Sequence, residues 1–266
     1  MKQILETSEY LDIVSRYYRK DCRSNDYIQQ IVSDLIAEGC LFVGKGQNNV
    51  FFFVKKAAGL RVYYYINDVA ESFDFTTQSD LVTEILFRGD LPQEEIKFFE
   101  CNGFQVNLVR DQYSGMYKDL YVPKEPFFSE IIAPAATIED VEAACNLFDS
   151  SFDCLSGDYI PREDYESLLS NHQIIIAQKN ENFLGAIHQV KEGSVNVIGH
   201  IAVMESARGK GIGNALVRAF IEKNYESEKT RYQLWVHRQN EAAVNMYKKF
   251  GFKFINKSTI SLIKKR

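Results

Sequence analysis

The sequence predicts an α/β (α+β) chain of two domains, and three observations carry that prediction. Short apolar runs of strand length alternate with amphipathic segments of helical spacing along the 266 residues. Three of the five prolines fall in one stretch, "YVPKEPFFSEIIAPAAT" at 121–137, which interrupts regular structure and divides the chain. A strand-like run, "HIAVM", passes through the glycine-rich "ARGKGIG" into an amphipathic segment, so backbone N–H groups converge at a helix start. The expected division is 1–125 as a smaller N-terminal α+β domain and 129–266 as a second domain, opened by a short strand at 130–133.

In order, the first half reads as helices at 7–20 and 26–38, then strands at 40–44, 49–55 and 60–66, the first pair joined by "KGQNN". A strand at 82–88, a helix at 93–101 and a strand from Phe104 follow. In the second half, Thr137 and Asp140 form a capping-box-like start for a helix to about Ser150, with Val141, Ala144, Cys145 and Phe148 on one face. The Gly157-Asp158 turn leads to a helix at 162–169. Strands at 173–178, 183–190 and 194–203 are separated by the turn signals "KNEN" and "KEG". A helix at 214–225 carries Leu216, Val217, Phe220 and Ile221 at helical spacing, and a strand (232–237), a helix (241–250) and a closing strand (252–263) complete the chain.

Composition narrows the function classes. With 45% hydrophobic and 25% charged residues the chain is that of a soluble globular protein. A net charge of −5 without an extended basic face argues against a nucleic-acid partner, and Lys264-Lys265-Arg266 reads as a solvated tail. Cys22, Cys40, Cys101, Cys145 and Cys154 are an odd number with no C-x-x-C pair, which fits reduced thiols and neither a disulfide framework nor a metal site. The N-terminus lacks the apolar region of a signal peptide and no apolar run approaches membrane-span length, so a cytoplasmic protein without a membrane partner is expected. Oligomeric state is left open.

The glycine turn is a phosphate cradle by type, and spacing separates the possibilities. A P-loop needs Ser or Thr after Gly-Lys, but Gly209-Lys210 is followed by Gly211. A dinucleotide fingerprint needs a third glycine where Asn214 or Leu216 stands. What remains is Arg208-x-x-Gly211-x-Gly213 after Ile201-Ala202-Val203, and this resembles the GNAT superfamily of acyl-CoA-dependent N-acyltransferases. The resemblance implies a GNAT fold over 130–266, a mixed, mostly antiparallel central sheet flanked by helices, with acetyl-CoA as cosubstrate and no metal. It implies that Arg208, Gly209, Lys210, Gly211, Ile212 and Gly213 hold the CoA pyrophosphate, with Ile212 packed inward. The backbone of Ile201, Ala202 and Val203 would pair with the pantetheine arm as an extra strand does.

A second stretch, "LWVHRQNEAAVNMYKKFGF", resembles the family's next motif. Asn240 suits a helix N-cap and by resemblance also touches the cofactor. Tyr247, two helical turns later, resembles the general acid that protonates the departing thiolate. The carboxylates that serve as base in two branches of the family would stand at Trp235 and Val197, which are apolar. His200 is the leading remaining base, with His237 and a water relay as alternatives. Asp158, Tyr159 and Glu163 lie where the family borders its acceptor site. Two functions therefore stand: an N-acetyltransferase acting on a primary amine of a small molecule or peptide by direct attack in a ternary complex, or a non-catalytic acyl-CoA-binding or protein-interaction module.

The first half carries a faint copy of this motif. Residues 84–104, "EILFRGDLPQEEIKFFECNGF", superpose without a gap on 232–252, matching Leu86 to Leu234, Phe99 to Tyr247 and Gly103-Phe104 to Gly251-Phe252. This half reads either as a degenerate GNAT-like domain or as an unrelated α+β domain. It has no R-x-x-G-x-G, so no CoA site is expected in it.

Overall fold

The computed structural model describes residues 1–122, 131–157 and 159–266. The elements in chain order are β1 (Lys2–Gln3), α1 (Thr7–Tyr17), β2 (Arg23–Ser24), α2 (Val32–Ala37), β3 (Leu41–Lys45), β4 (Val50–Lys56), β5 (Gly59–Ile66), β6 (Leu81–Phe87), α3 (Gln93–Cys101) and β7 (Gln105–Met116). There follow β8 (Ile131–Pro134), α4 (Ile138–Ser151), α5 (Tyr165–Ser170), β9 (Ile174–Lys179), β10 (Asn182–Glu192), β11 (Val195–Val203), α6 (Ile212–Lys223), β12 (Arg231–His237), α7 (Glu241–Lys249) and β13 (Lys253–Lys264). Two compact units form: Met1–Val109 with Cys154–Asp158 and Lys257–Arg266, and Arg110–Asp153 with Tyr159–Asn256. The proline stretch at 123–130, including Glu130 of the expected opening strand, and Asp158 lie outside the described residues.

In the first unit the strands lie in the order β1-β3-β4-β5-β6-β13, with β2 on β5. All pairs are antiparallel except β5 with β6, which run parallel over 60–62 and 81–83. Phenylalanine fills one face: Phe51, Phe53, Phe75, Phe98, Phe99 and Phe104 share a cluster, with ring centres 4.8 Å apart for Phe51 and Phe75 and 5.1 Å for Phe75 and Phe104. Two expectations change here. The helix expected at 26–38 shrinks to α2 because Arg23–Ser24 pairs with β5, and Asn25 is held by hydrogen bonds to β5 and β6. The closing strand, read as the last of the second domain, pairs over 258–264 with β6 of this unit. The basic end is correspondingly no loose tail: Lys264 Nζ donates to the Asn102 carbonyl and Lys265 pairs with Asp80.

In the second unit the order is β7-β12-β11-β10-β9-β8, antiparallel except for β11 with β12. Alternation along β9 sends Ile175 and Ala177 into one cluster, with Leu216, Val217, Phe220 and Ile221 of α6 and Tyr247 of α7. Ile174 and Ile176 enter another, with Val141, Ala144 and Phe148 of α4 and Leu168 of α5. Helices thus cover both faces of this sheet. The capping box at α4 forms: Asp140 N–H donates to Thr137 Oγ1 at 3.3 Å and Thr137 N–H to Asp140 Oδ2 at 3.2 Å. All five cysteines are free, and burial pushes the Cys145 thiol up to about 11. Among the described residues no helix is long and apolar enough to cross a membrane, and no group of three His, Cys, Asp or Glu could hold a metal ion.

Candidate acyl-CoA site

The site is set by two parallel strands that part. β11 and β12 pair only over 195–198 and 231–234. Beyond that, β11 stays paired with β10 to Val203, and β12 with β7 to His237. The edge of β11 at 199–203 that faces away from β10 therefore has no strand on it among the described residues, the kind of edge with which an extended chain can pair. A crevice at the carboxyl ends of diverging parallel strands is where open α/β sheets bind ligands.

Ile201, Ala202 and Val203 lie on that edge. Ile201 and Val203 pack towards the α6/α7 cluster and Ala202 towards the α4/α5 cluster, so their side chains serve the core while the backbone faces the crevice. The chain then turns through Glu205–Ala207 and enters α6. Gly211 is the N-cap with φ 82, a left-handed conformation that costs an L-residue roughly 1–2 kcal/mol. Among the described residues no side chain caps α6, so its first N–H groups stand uncapped at the positive end of the helix dipole. Arg208 Nε donates to the Val203 carbonyl at 3.3 Å and Lys210 Nζ to the Ser206 carbonyl at 2.8 Å. Both cations are thereby held over the turn, and no carboxylate pairs with either among the described residues. Ile212 is buried, as expected, and the Cα of Gly213 sits where an added Cβ would be 3.3 Å from Met246 Sδ. That close approach brings the start of α6 against α7.

Asn240 caps α7: its Oδ1 accepts from the Ala243 N–H at 3.1 Å. Tyr247 is 3% exposed and packs in the same cluster as Ile212, Ile201 and Val203. Desolvation raises its phenol above the usual value, so like any phenol it is protonated at neutral pH. His200 stands on the opposite face of β11, against Phe148 at 5.2 Å between ring centres and Phe152 at 5.2 Å. The structure thus gathers the cradle residues, Asn240 and Tyr247 on the α6/α7 side, and sets His200 apart on the α4/α5 side of the same strand. His237 ends β12, opposite Arg110. Of the acceptor-side residues, Tyr159 is exposed and Asp158 lies outside the described residues.

Sequence reasoning missed His188. It is the β10 residue directly opposite His200, with Nδ1 atoms 3.4 Å apart. The "KEG" turn announced the hairpin, but the register that joins the two histidines depends on a bulge with no signature of its own.

Residues 135–261 match the model of the acetyltransferase (GNAT) domain, so this part of the chain is a GNAT domain. No curated protein matches the chain. Solved structures agree in fold. A GCN5-related N-acetyltransferase from Sphaerobacter thermophilus is similar with a TM-score of 0.58 at 13% identity, covering 88% of this chain and 85% of that one. A GNAT-family acetyltransferase from Colwellia psychrerythraea gives 0.54 at 13%, covering 100% and 99%. A tandem GNAT protein of the clavulanic acid pathway gives 0.54 at 11%, covering 85% and 83%. The coverage extends through the first half, which is GNAT-like in fold, so the architecture is a two-part GNAT fold.

Proposed function

We propose that this GNAT domain transfers an acetyl group from acetyl-CoA to a primary amine of a small molecule or peptide, by direct attack in a ternary complex. The observation that carries the reading is the parting of β11 and β12 beside an uncapped helix start, with Arg208 and Lys210 poised over it. The N–H groups at the start of α6 and the two cations suit a pyrophosphate, and the strand-free edge at 199–203 suits the amide-bearing pantetheine arm. The amine attacks the thioester carbonyl, His200 takes the proton it sheds, and Tyr247 donates a proton to the departing thiolate. Exchange with water restores both groups.

The first unit takes no acetyl-CoA in this reading. Its equivalent edge on β5 is already paired with β2, and Asn25 fills the parting between β5 and β6. The test is thiol release from acetyl-CoA with a panel of amines. Release that depends on the amine and disappears on heat inactivation supports the transferase. Tight acetyl-CoA binding without release across the panel would instead make this an acyl-CoA-binding module.

A further inference from the structure

His188 and His200 face each other by construction. In the β10/β11 ladder His188 pairs with His200 but Gln189 pairs with Ile198, so Gly199 is the extra residue of a bulge in β11. Glycine is needed there, since an added Cβ would lie 2.8 Å from Nδ1 of His188. The ring planes are within 17°, the ring centres 5.7 Å apart and the Nδ1 atoms 3.4 Å apart. A ring nitrogen sits about 1.15 Å from the centre of an imidazole, so that centre-to-centre distance is close to the largest the nitrogen separation allows. Both Nδ1 atoms therefore lie near the line joining the ring centres. Each points at the other within its own ring plane, the direction in which imidazole donates and accepts. The separation is long for a hydrogen bond but the alignment is favourable.

Such a contact holds one proton. With both rings neutral, a proton on one Nδ1 obliges the other to be an acceptor, so the tautomer of either ring dictates that of its neighbour. We propose that His188 is a positioning residue for His200: its Nδ1 accepts the Nδ1–H of His200, which makes Nε2 the atom of His200 that takes up a proton. When the attacking amine gives its proton to Nε2, the imidazolium formed keeps its Nδ1–H directed at the Nδ1 lone pair of His188, a charge-assisted hydrogen bond stronger than the one it replaces. Phe148 and Phe152, packed on His200, hold the ring in that plane. The inference rests on the reading of His200 as the base.

Steady-state kinetics of the full chain with acetyl-CoA and the best amine of the panel test it. His188→Phe keeps a ring but removes the acceptor; kcat is expected to fall about tenfold or more, with KM for acetyl-CoA nearly unchanged. His188→Asn restores an acceptor oxygen near the Nδ1 position and should recover most of that loss. Wild-type kcat in His188→Phe, or Asn no better than Phe, overturns the proposal. His200→Gln separates the two levels: full kcat in that variant removes the base itself, while loss there beside an unaffected His188→Phe removes only the partner. Should His188→Phe fail to fold, nitrogen-15 chemical shifts of the wild-type histidines decide, with an Nε2–H tautomer of His200 as the overturning result.

Discussion

The two units build the same parting of parallel strands and complete it differently. In the first, β5 and β6 separate after Val62 and Thr83, and the chain fills the parting itself. Asn25, 2% exposed, donates through Nδ2 to the carbonyls of Val62 and Glu84 and to Thr83 Oγ1, and accepts the Tyr64 N–H at 2.8 Å. β2 then pairs with Tyr65 and Ile66. In the second, β11 and β12 separate after Ile198 and Leu234, and no strand of the described residues takes the exposed edge. Backbone groups at a parting of strands need partners. One unit satisfies them from its own sequence, the other has no strand on that edge among the described residues, and the side chains follow: Phe99 in α3 and Pro92 at its N-cap stand where Tyr247 in α7 and its N-cap Asn240 stand.

The largest effect that would break this contrast is at Tyr247. Tyr247→Phe makes the α7 site resemble α3 and should lower kcat by about 10²–10⁴-fold while acetyl-CoA binding, followed by calorimetry, stays near wild type. Unchanged turnover would take the acid role from Tyr247. Asn25→Ala attacks the other side of the contrast. The Tyr64 N–H loses its acceptor and the Val62 and Glu84 carbonyls each lose a donor, while Thr83 Oγ1 keeps its bond to the Val62 carbonyl, so the variant should cost about 2 kcal/mol in urea unfolding, and acetyl-CoA stoichiometry should remain one per chain. A loss within experimental error would show that Asn25 does not tie the strands.

The second unit was the more legible half. Its hairpins and helices follow from turn residues and periodicity, and the candidate cradle stands out because spacing in Arg208-x-x-Gly211-x-Gly213 excludes other phosphate loops. The motif copy at 84–104 also located α3, which occupies the residues that superpose on α7. What stayed hidden depends on non-local pairing. Arg23–Ser24 is too short to show alternation, and nothing local marks Asn25 as the tie between β5 and β6. The alternation of 253–264 marks a strand but not its partner, which proved to be β6. His188 escaped for a similar reason: a single bulged glycine moves the register by one residue and decides which side chain meets His200.

Alkaline titration tests both units together. Tyr64 in the first and Tyr247 in the second have phenols raised by desolvation, with Glu95 adding to the effect on Tyr64. The folded chain therefore holds these protons at a pH where the unfolded chain, titrating near about 10, releases them. Stability from these groups is complete below about pH 10 and falls as pH rises further, because the native state then binds more protons. Unfolding followed by far-ultraviolet circular dichroism should steepen in that range, with phenolate absorbance appearing only as structure is lost. Absorbance preceding unfolding would show that these phenols are not sealed.

Smaller effects sharpen the contrast at the ligand itself. Arg208→Ala and Lys210→Ala should each weaken acetyl-CoA binding about tenfold, or about 1.4 kcal/mol, and flatten its salt dependence. The offset of the motif copy puts Leu60 and Val62 of the first unit opposite this pair, so the double variant should bind about a hundredfold more weakly, with no second site taking over. The smallest effect is expected at Asn240. Its side chain caps α7, whereas Pro92 caps nothing at the start of α3, so Asn240→Ala should cost about 1 kcal/mol of stability. Asn240→Asp retains a capping oxygen and should restore that stability. If Asn240 also touches the cofactor, the added charge of the aspartate should still weaken acetyl-CoA binding, because it faces a polyanion. Stability recovered together with affinity would limit Asn240 to capping the helix.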